Sequence, residues 1–263
     1  MLILFCLRGW KLTKPPKNSF CKDKAIFCSI ILPARNEENN ISDCLLSLIN
    51  QDYPKENFEV IVVNDHSTDK TAALALQTGI ANVRMVNLSQ ERKGKKDAIT
   101  MGVNLAKGKL IVTTDADCRM NKKWLSSVVN FYLQENPKLI IGPVLADDKK
   151  NILSAFQSLE LMALAGSACG SAYYNKPLLC SGANLAYEKE TFFSVNGFEG
   201  TEHIATGDDM FLMLKIQNVF PKAVRFLKSK DALVITTPEY YLQNFFRQRK
   251  RWASKTFSYK RNY

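Results

Sequence analysis

The sequence predicts an α/β chain built on a mostly parallel central sheet with helices on both faces. Two observations lead there. Short apolar, β-branched runs alternate with stretches of helical spacing, the pattern of crossover connections. The early strand-like runs end in polar clusters: Arg35-Asn36-Glu37, Asn64-Asp65 and Asp115-Ala116-Asp117. Ligands of such sheets gather at the carboxyl ends of strands.

Residues 26–32 form an apolar run stopped by Pro33 and read as a buried strand. Ile41, Leu45, Leu48 and Ile49 recur at helical spacing within 37–50, with Asn36 or Asn39 placed to cap the start. A second strand spans 58–63, and Ser67-Thr68-Asp69 opens a helix to about residue 77. A third strand covers 82–86, a helix 96–106 and a fourth strand 109–114. Further on, 151–170 is a helix with a tail of small residues, 178–187 is strand-like, and 207–219 is helical. Short strands are expected at 224–227 and 232–235, and Pro238 starts a last helix running through Trp252. No linker separates the halves, so one continuous unit is expected.

The 263 residues suit one large domain, and 46% hydrophobic with 23% charged residues is ordinary for a globule. The net charge of +11 suits an anionic partner: nucleic acid, a membrane surface or a phosphorylated substrate. It is concentrated late, because no acid follows Glu239 while Arg247, Arg249, Lys250, Arg251, Lys255, Lys260 and Arg261 do. Aromatics interleaved with bases are sparse outside the last helix, so no nucleic-acid partner is expected. Seven cysteines without a C-x-x-C pair fit reduced thiols in a cytosolic compartment better than zinc or a disulfide framework. Met1 to Leu7 is apolar but too short to span a bilayer, and Arg8, Lys11, Lys14 and Lys17 follow. That order suits a membrane-helix end with its cytoplasmic flank, or a disordered, greasy start. No complete transmembrane segment is expected.

The segment Leu110-Ile111-Val112-Thr113-Thr114 runs straight into Asp115-Ala116-Asp117. Alternate side chains of an extended chain point the same way, so the two carboxylates converge past the strand end. Like charges so placed need a cation, and hard oxygen ligands suit a divalent metal that also grips phosphate. The same pattern also occurs in solvated loops. Lys93-Gly94-Lys95-Lys96 opens a helix, where lysines and free amides favour phosphate, or forms a solvated basic turn. Asp65 can accept a hydrogen bond from a base or a ribose, while Ser67 and Asp69 read as helix caps. Asp208, at a helix start, can deprotonate a hydroxyl nucleophile or merely complement the helix dipole; Asp209 orders the site or faces water. Gln248-Arg249-Lys250-Arg251-Trp252 joins guanidinium forks that clamp diphosphate to an indole that stacks on sugars. A basic amphipathic helix on a membrane has the same composition. No G-x-G-x-x-G follows a strand, and His66 and His203 are too few for a His-based zinc site or triad.

Taken together, these boxes resemble membrane-associated family 2 glycosyltransferases with a GT-A fold, a Rossmann-like sheet. In order they are Ile31 to Glu38, Val62 to Asp69, Gly94-Lys95, Thr114 to Asp117, Ser181 to Asn184, Thr206 to Asp209, and the Gln-x-x-Arg-Trp box at Gln248, Arg251 and Trp252. The resemblance covers Phe27 to Trp252. It implies a GT-A domain at 25–253, with a nucleotide-binding half at 25–120 and an acceptor-binding half at 121–253. Residues 1–24 would be a membrane-proximal flank and 254–263 a basic tail.

The resemblance also implies roles. Pro33, Ala34, Asn36, Glu37 and Asp65 would hold the nucleoside, with Lys95 near base or phosphate. Asp115 would touch ribose or metal, and Asp117 would coordinate Mg or Mn. Asp208 would be the catalytic base, and Arg249, Arg251 and Trp252 would close over the diphosphate. Gly182, Ala183, Asn184, Asp209 and Gln248 would serve the acceptor side. The implied reaction is inverting transfer from a nucleotide diphosphate sugar, commonly a UDP-sugar, to a glycan or lipid-linked acceptor. It would take place at the cytoplasmic face of a membrane, the inner membrane in a bacterium, in cell-envelope polysaccharide synthesis. Gly207 and Thr100 stand where the family often has Glu and Asn. Relatives with the box usually carry transmembrane helices, so a partial chain is expected. The other readings are a nucleotidyltransferase of similar fold and a non-catalytic basic membrane-surface module.

Overall fold

A computed structural model describes residues 2–16, 22–77, 79, 81–147, 151–201, 204 and 207–253. Cys21, His203, Thr206 and the basic tail at 254–263 lie outside the described residues. After α1 (Leu2–Leu12) come β1 (Cys28–Ala34), α2 (Ile41–Ile49), β2 (Phe58–Asn64), α3 (Thr71–Leu76), β3 (Val83–Asn87), α4 (Lys95–Leu105) and β4 (Leu110–Thr113). The second half holds β5 (Cys118–Met120), α5 (Trp124–Glu135), β6 (Leu139–Ile141), β7 (Val144–Ala146), α6 (Ile152–Tyr173) and β8 (Leu185–Glu188). Then follow α7 (Lys189–Ser194), α8 (Asp208–Val219), β9 (Val224–Phe226), β10 (Val234–Thr236) and α9 (Leu242–Ala253).

The central sheet runs β3-β2-β1-β4-β8-β6-β9. β1 lies parallel to β2 and β4, and β2 lies parallel to β3. β8 is antiparallel to both β4 and β6, while β9 rejoins β6 in parallel. Strand alternation supplies a core on each face. Ile30, Leu32, Val60 and Val112 face α2 and α5, with Leu45, Leu48 and Trp124 buried against them. Ile31, Ile61 and Ile111 face the other way, onto Ile99 and Val103 of α4 and Leu212 and Ile216 of α8. A smaller sheet, β5-β10-β7, sits beside the carboxyl ends.

Several expectations need correction. α2 starts at Ile41, not 37, because Glu37 to Asn40 make a turn closed by Ile41 N donating to Glu37 O at 2.9 Å. Neither Asn36 nor Asn39 caps it. α3 starts at Thr71, where Asp69 accepts from the Thr71 amide at 3.0 Å. Ser67 instead accepts from the Asn36 amide at 3.1 Å and ties two loops together. Most of 178–187 is irregular before β8. Spacing gave no sign of β5, α5, β6 and β7: α5 is buried on several sides, and each of these strands is three residues long.

The N-terminal residues are helical and pack on α6. Gly9 and Gly170 meet at the crossing, and a Cβ on either would strike the opposite backbone. Small residues permit such close approach. By length and composition alone the 22 residues of α6 suffice to cross a membrane, a test that the core helix of a soluble protein also passes.

Candidate active site

β1, β2 and β4 point the same way, and their carboxyl ends share one rim, with Ala34 beside Asn64 and Ile31 beside Thr113. Beneath that rim opens a cavity of about 830 Å³. Glu37, Asp65, Asp115 and Asp117 line it from the strand ends, Lys95 from the start of α4, and Asp208 and Asp209 from the start of α8.

Asp65 is 5% exposed and accepts from the Gly94 amide at 3.0 Å through Oδ2, which also faces Arg35 at 3.5 Å. Its other oxygen, Oδ1, is buried without a partner among the described residues. A buried, unsatisfied carboxylate oxygen is costly unless a ligand donates to it. Burial pushes Glu37 up to about 7, with Asp117, Asp115 and Asp69 adding to the rise against a hydrogen bond from Asn40.

Asp115 and Asp117 lie past the end of β4 in a turn closed by Cys118 N donating to Asp115 O at 3.1 Å, so a turn and not the strand alternation expected from the sequence presents both to the cavity. Burial, then the neighbouring Asp115, raises Asp117 above the ordinary carboxylate range, against hydrogen bonds from Thr236 at 3.0 Å and Cys118 at 3.4 Å. Lys95 Nζ is 2.5 Å from Asp115 and 3.8 Å from Asp208. Burial opposes its charge, yet Asp115, Asp208 and Asp209 hold it protonated well above the usual lysine range. An ammonium held among these carboxylates marks the point where the site accommodates positive charge. Among the described residues no three His, Cys, Asp or Glu side chains cluster as a closed metal cage. A pair of aspartates fits a metal that completes its shell with substrate phosphates.

Gly207, at φ 88°, turns the chain into α8 and delivers Asp208, which is 7% exposed, to the cavity. Asp209 turns aside and accepts from the Gly182 amide at 3.1 Å. Gly182 is a close approach: a Cβ there would stand 2.9 Å from Lys95 Nζ and 3.3 Å from Asp208. α6 also supplies a wall of this cavity, and α9 its roof through Gln248, Arg249, Arg251 and Trp252. Gln157 of α6 donates to Glu239 O at 2.8 Å and accepts from Glu239 N at 3.1 Å. One turn on, Glu160 accepts from Arg249 Nε at 3.0 Å and also pairs with its terminal nitrogen. Phe156 and Phe245 pack edge to face between them.

A family model described as Glycosyl transferase family 2 matches residues 29–193, more than half of the chain. The chain belongs to glycosyl transferase family 2. One relative is a dolichyl N-acetyl-alpha-D-glucosaminyl phosphate 3-beta-D-2,3-diacetamido-2,3-dideoxy-beta-D-glucuronosyltransferase of Methanococcus voltae. It is 30% identical over 196 residues, covering 70% of this chain and 56% of that protein. The chain thus spans about half the length of that relative. A mannosyltransferase of Pyrobaculum calidifontis, solved with GDP-Man and Mn2+, has a similar fold: TM-score 0.70, 20% identity, 95% of this chain and 68% of that one. S. aureus TarS 1-349, solved with UDP-GlcNAc, superposes with TM-score 0.63 at 21% identity over 82% of this chain and 60% of that one. The fold is that of GT-A glycosyltransferases.

The expected residues divide. Pro33, Ala34, Glu37, Asp65, Lys95, Asp115, Asp117, Gly182, Ala183, Asp208, Asp209, Gln248, Arg249, Arg251 and Trp252 all line one cavity. Two expected residues do not. Asn36, at φ 55°, is exposed and accepts from the Thr68 amide at 2.9 Å, tying two loops. Asn184 is turned into the core, where it donates to Pro143 O and Ala232 O, each at 2.9 Å, and accepts from Trp124 Nε1 at 3.1 Å. Arg249 lines the cavity but spends its guanidinium on Glu160 and lies over the Trp252 ring at 4.1 Å. Sequence reasoning missed Gln157, Glu160 and Thr236. Glu160 had a signal: it is the only charged residue of α6.

Proposed function

We propose that this chain transfers a sugar from a nucleotide diphosphate sugar to a hydroxyl of a glycan or lipid-linked acceptor, with inversion. The supporting observation is the meeting of Asp115, Asp117 and Asp208 in one cavity, with Lys95 in reach of both Asp115 and Asp208.

The Asp65 carboxylate, with its unpaired Oδ1, receives a donor from the nucleoside. Mg2+ or Mn2+, held by Asp117 with Asp115, would offset charge on the leaving diphosphate. Lys95 adds a second positive charge there. Arg251 and Trp252 of α9 close the roof over the diphosphate. Asp208 takes the acceptor hydroxyl's proton as that oxygen attacks the anomeric carbon. Asp209, engaged with the Gly182 amide, orients the acceptor side instead of acting as a nucleophile. One base and one displacement give inversion without a covalent sugar intermediate.

The reading includes a membrane setting at the cytoplasmic face. Exposed Leu2, Ile3, Leu4 and Leu7 of α1 and Ile152, Leu159 and Met162 of α6 support it, as does the basic α9. Incubation with UDP- and GDP-sugars, with and without Mn2+, tests the reaction. Release of nucleoside diphosphate and an inverted anomeric centre by NMR are expected; release of pyrophosphate would make the protein a nucleotidyltransferase.

A further inference from the structure

A second, much smaller void of about 10 Å³ lies against Asp208 and Asp209. That is room for about one water molecule. Tyr187 of β8 and Thr113 of β4 line it, and the buried side chains of Phe198 and Leu212 help to close it. Tyr187 is 1% exposed, and its hydroxyl has no hydrogen-bond partner among the described residues. Its ring stacks on Phe192 with centroids 5.9 Å apart, which fixes the direction of the phenol. Burial, then the charge of Asp208, pushes that phenol far above its ordinary range, with Lys95 opposing. The hydroxyl therefore lies within the field of both groups. A buried hydroxyl left without a partner is costly, and a polar void of this size is where water supplies one.

We propose that Tyr187 is a positioning residue for Asp208, acting through one buried water held in this void; its effect on turnover rests on the transferase reading above. The water accepts from the Tyr187 hydroxyl and donates to the Asp208 carboxylate and to Thr113 Oγ1. Hydrogen bonds already made leave room for this pattern. Thr113 donates its hydroxyl to Gly182 O at 3.1 Å and keeps lone pairs to accept. Asp209 accepts from the Gly182 amide at 3.1 Å and from the Met210 amide at 2.8 Å, one on each oxygen. From the other elements Asp208 faces Lys95 of α4 at 3.8 Å, which it shares with Asp115. An ammonium on a flexible stem fixes no direction. A hydrogen-bonded chain anchored on a packed strand residue does, so the carboxylate keeps one orientation as the acceptor approaches.

A crystal structure of the full chain tests the water: density for a solvent molecule within about 3 Å of Tyr187 Oη and of an Asp208 oxygen is expected. A dry void overturns the proposal. Hydrolysis of UDP- and GDP-sugars with Mn2+, water taking the acceptor's place, tests the role. Tyr187→Phe should lower kcat about three- to tenfold, the worth of one hydrogen bond, with donor KM and melting temperature little changed. In an Asp208→Asn background the same change should leave the residual rate where it was, because the two residues act together. Equal losses in both backgrounds overturn the proposal. So does a Tyr187→Phe variant that melts higher at full kcat, the result expected of a hydroxyl that had no partner to lose. Failure of the unaltered chain to turn over any UDP- or GDP-sugar counts against the transferase reading instead, and the density still decides the water.

Discussion

Lys95 links Asp115 to Asp208, standing 2.5 Å from the first and 3.8 Å from the second. The residue expected to serve the donor phosphates thus also touches the expected base. Replacing Lys95 by Met leaves the carboxylates facing each other without a cation. The variant should lose at most about 1.5–3 kcal/mol of stability in chelator, the usual worth of hydrogen bonds to charged groups. Mn2+ should restore more of the melting temperature in the variant than in the unaltered chain. Thermal melts with chelator and with Mn2+ check this; equal Mn2+ effects would argue against a shared cation position.

Asp208→Asn keeps the shape and removes the basic oxygen. Turnover should fall about 10²–10⁴-fold, the range for general-base catalysis, with nucleotide affinity unchanged. Calorimetry of nucleotide binding beside a product assay separates the two effects. Near-normal turnover would move the base elsewhere.

Glu160 and Arg249 dock the roof on the wall through paired hydrogen bonds. Glu160→Gln should raise the donor KM about tenfold, the scale of one lost charge-assisted contact, with little change in melting temperature. Glu160→Asp should recover part of the loss. A unchanged KM in both variants would show that α9 holds its place without the pair.

Glu37 supplies a pH signature. Its folded value of about 7 lies above the 4.5 of the unfolded chain, so folding takes up a proton between them. Its stabilising contribution is complete below about 4.5 and is lost as pH rises through about 7. Melting temperature in chelator should therefore decline across that window, and Glu37→Gln should flatten the decline. Parallel pH profiles for the two proteins would contradict the assignment.

Asn184 satisfies three core groups at once. Asn184→Ala should cost about 2–4 kcal/mol, because two carbonyls and the Trp124 indole lose buried partners. Denaturant unfolding measures this. A loss of turnover with full stability would return Asn184 to the acceptor side.

Consecutive residues made the first half of the chain legible. A β-branched run followed by Asp-x-Asp is a local pattern, and it marked the strand end and its two carboxylates, although a turn past Thr113 presents them and not strand alternation. The order β1 to β4 and the acidic ends of those strands were legible for the same reason. Chain-local patterns failed where burial is uniform, as in α5, and where strands are three residues long, as in β5 to β7. They also could not say that Asn184 faces the core and Asn36 the solvent. Those outcomes depend on partners far along the chain: Asn184 bonds Trp124 across 60 residues, and Glu160 bonds Arg249 across 89. Folding alone supplies such neighbours.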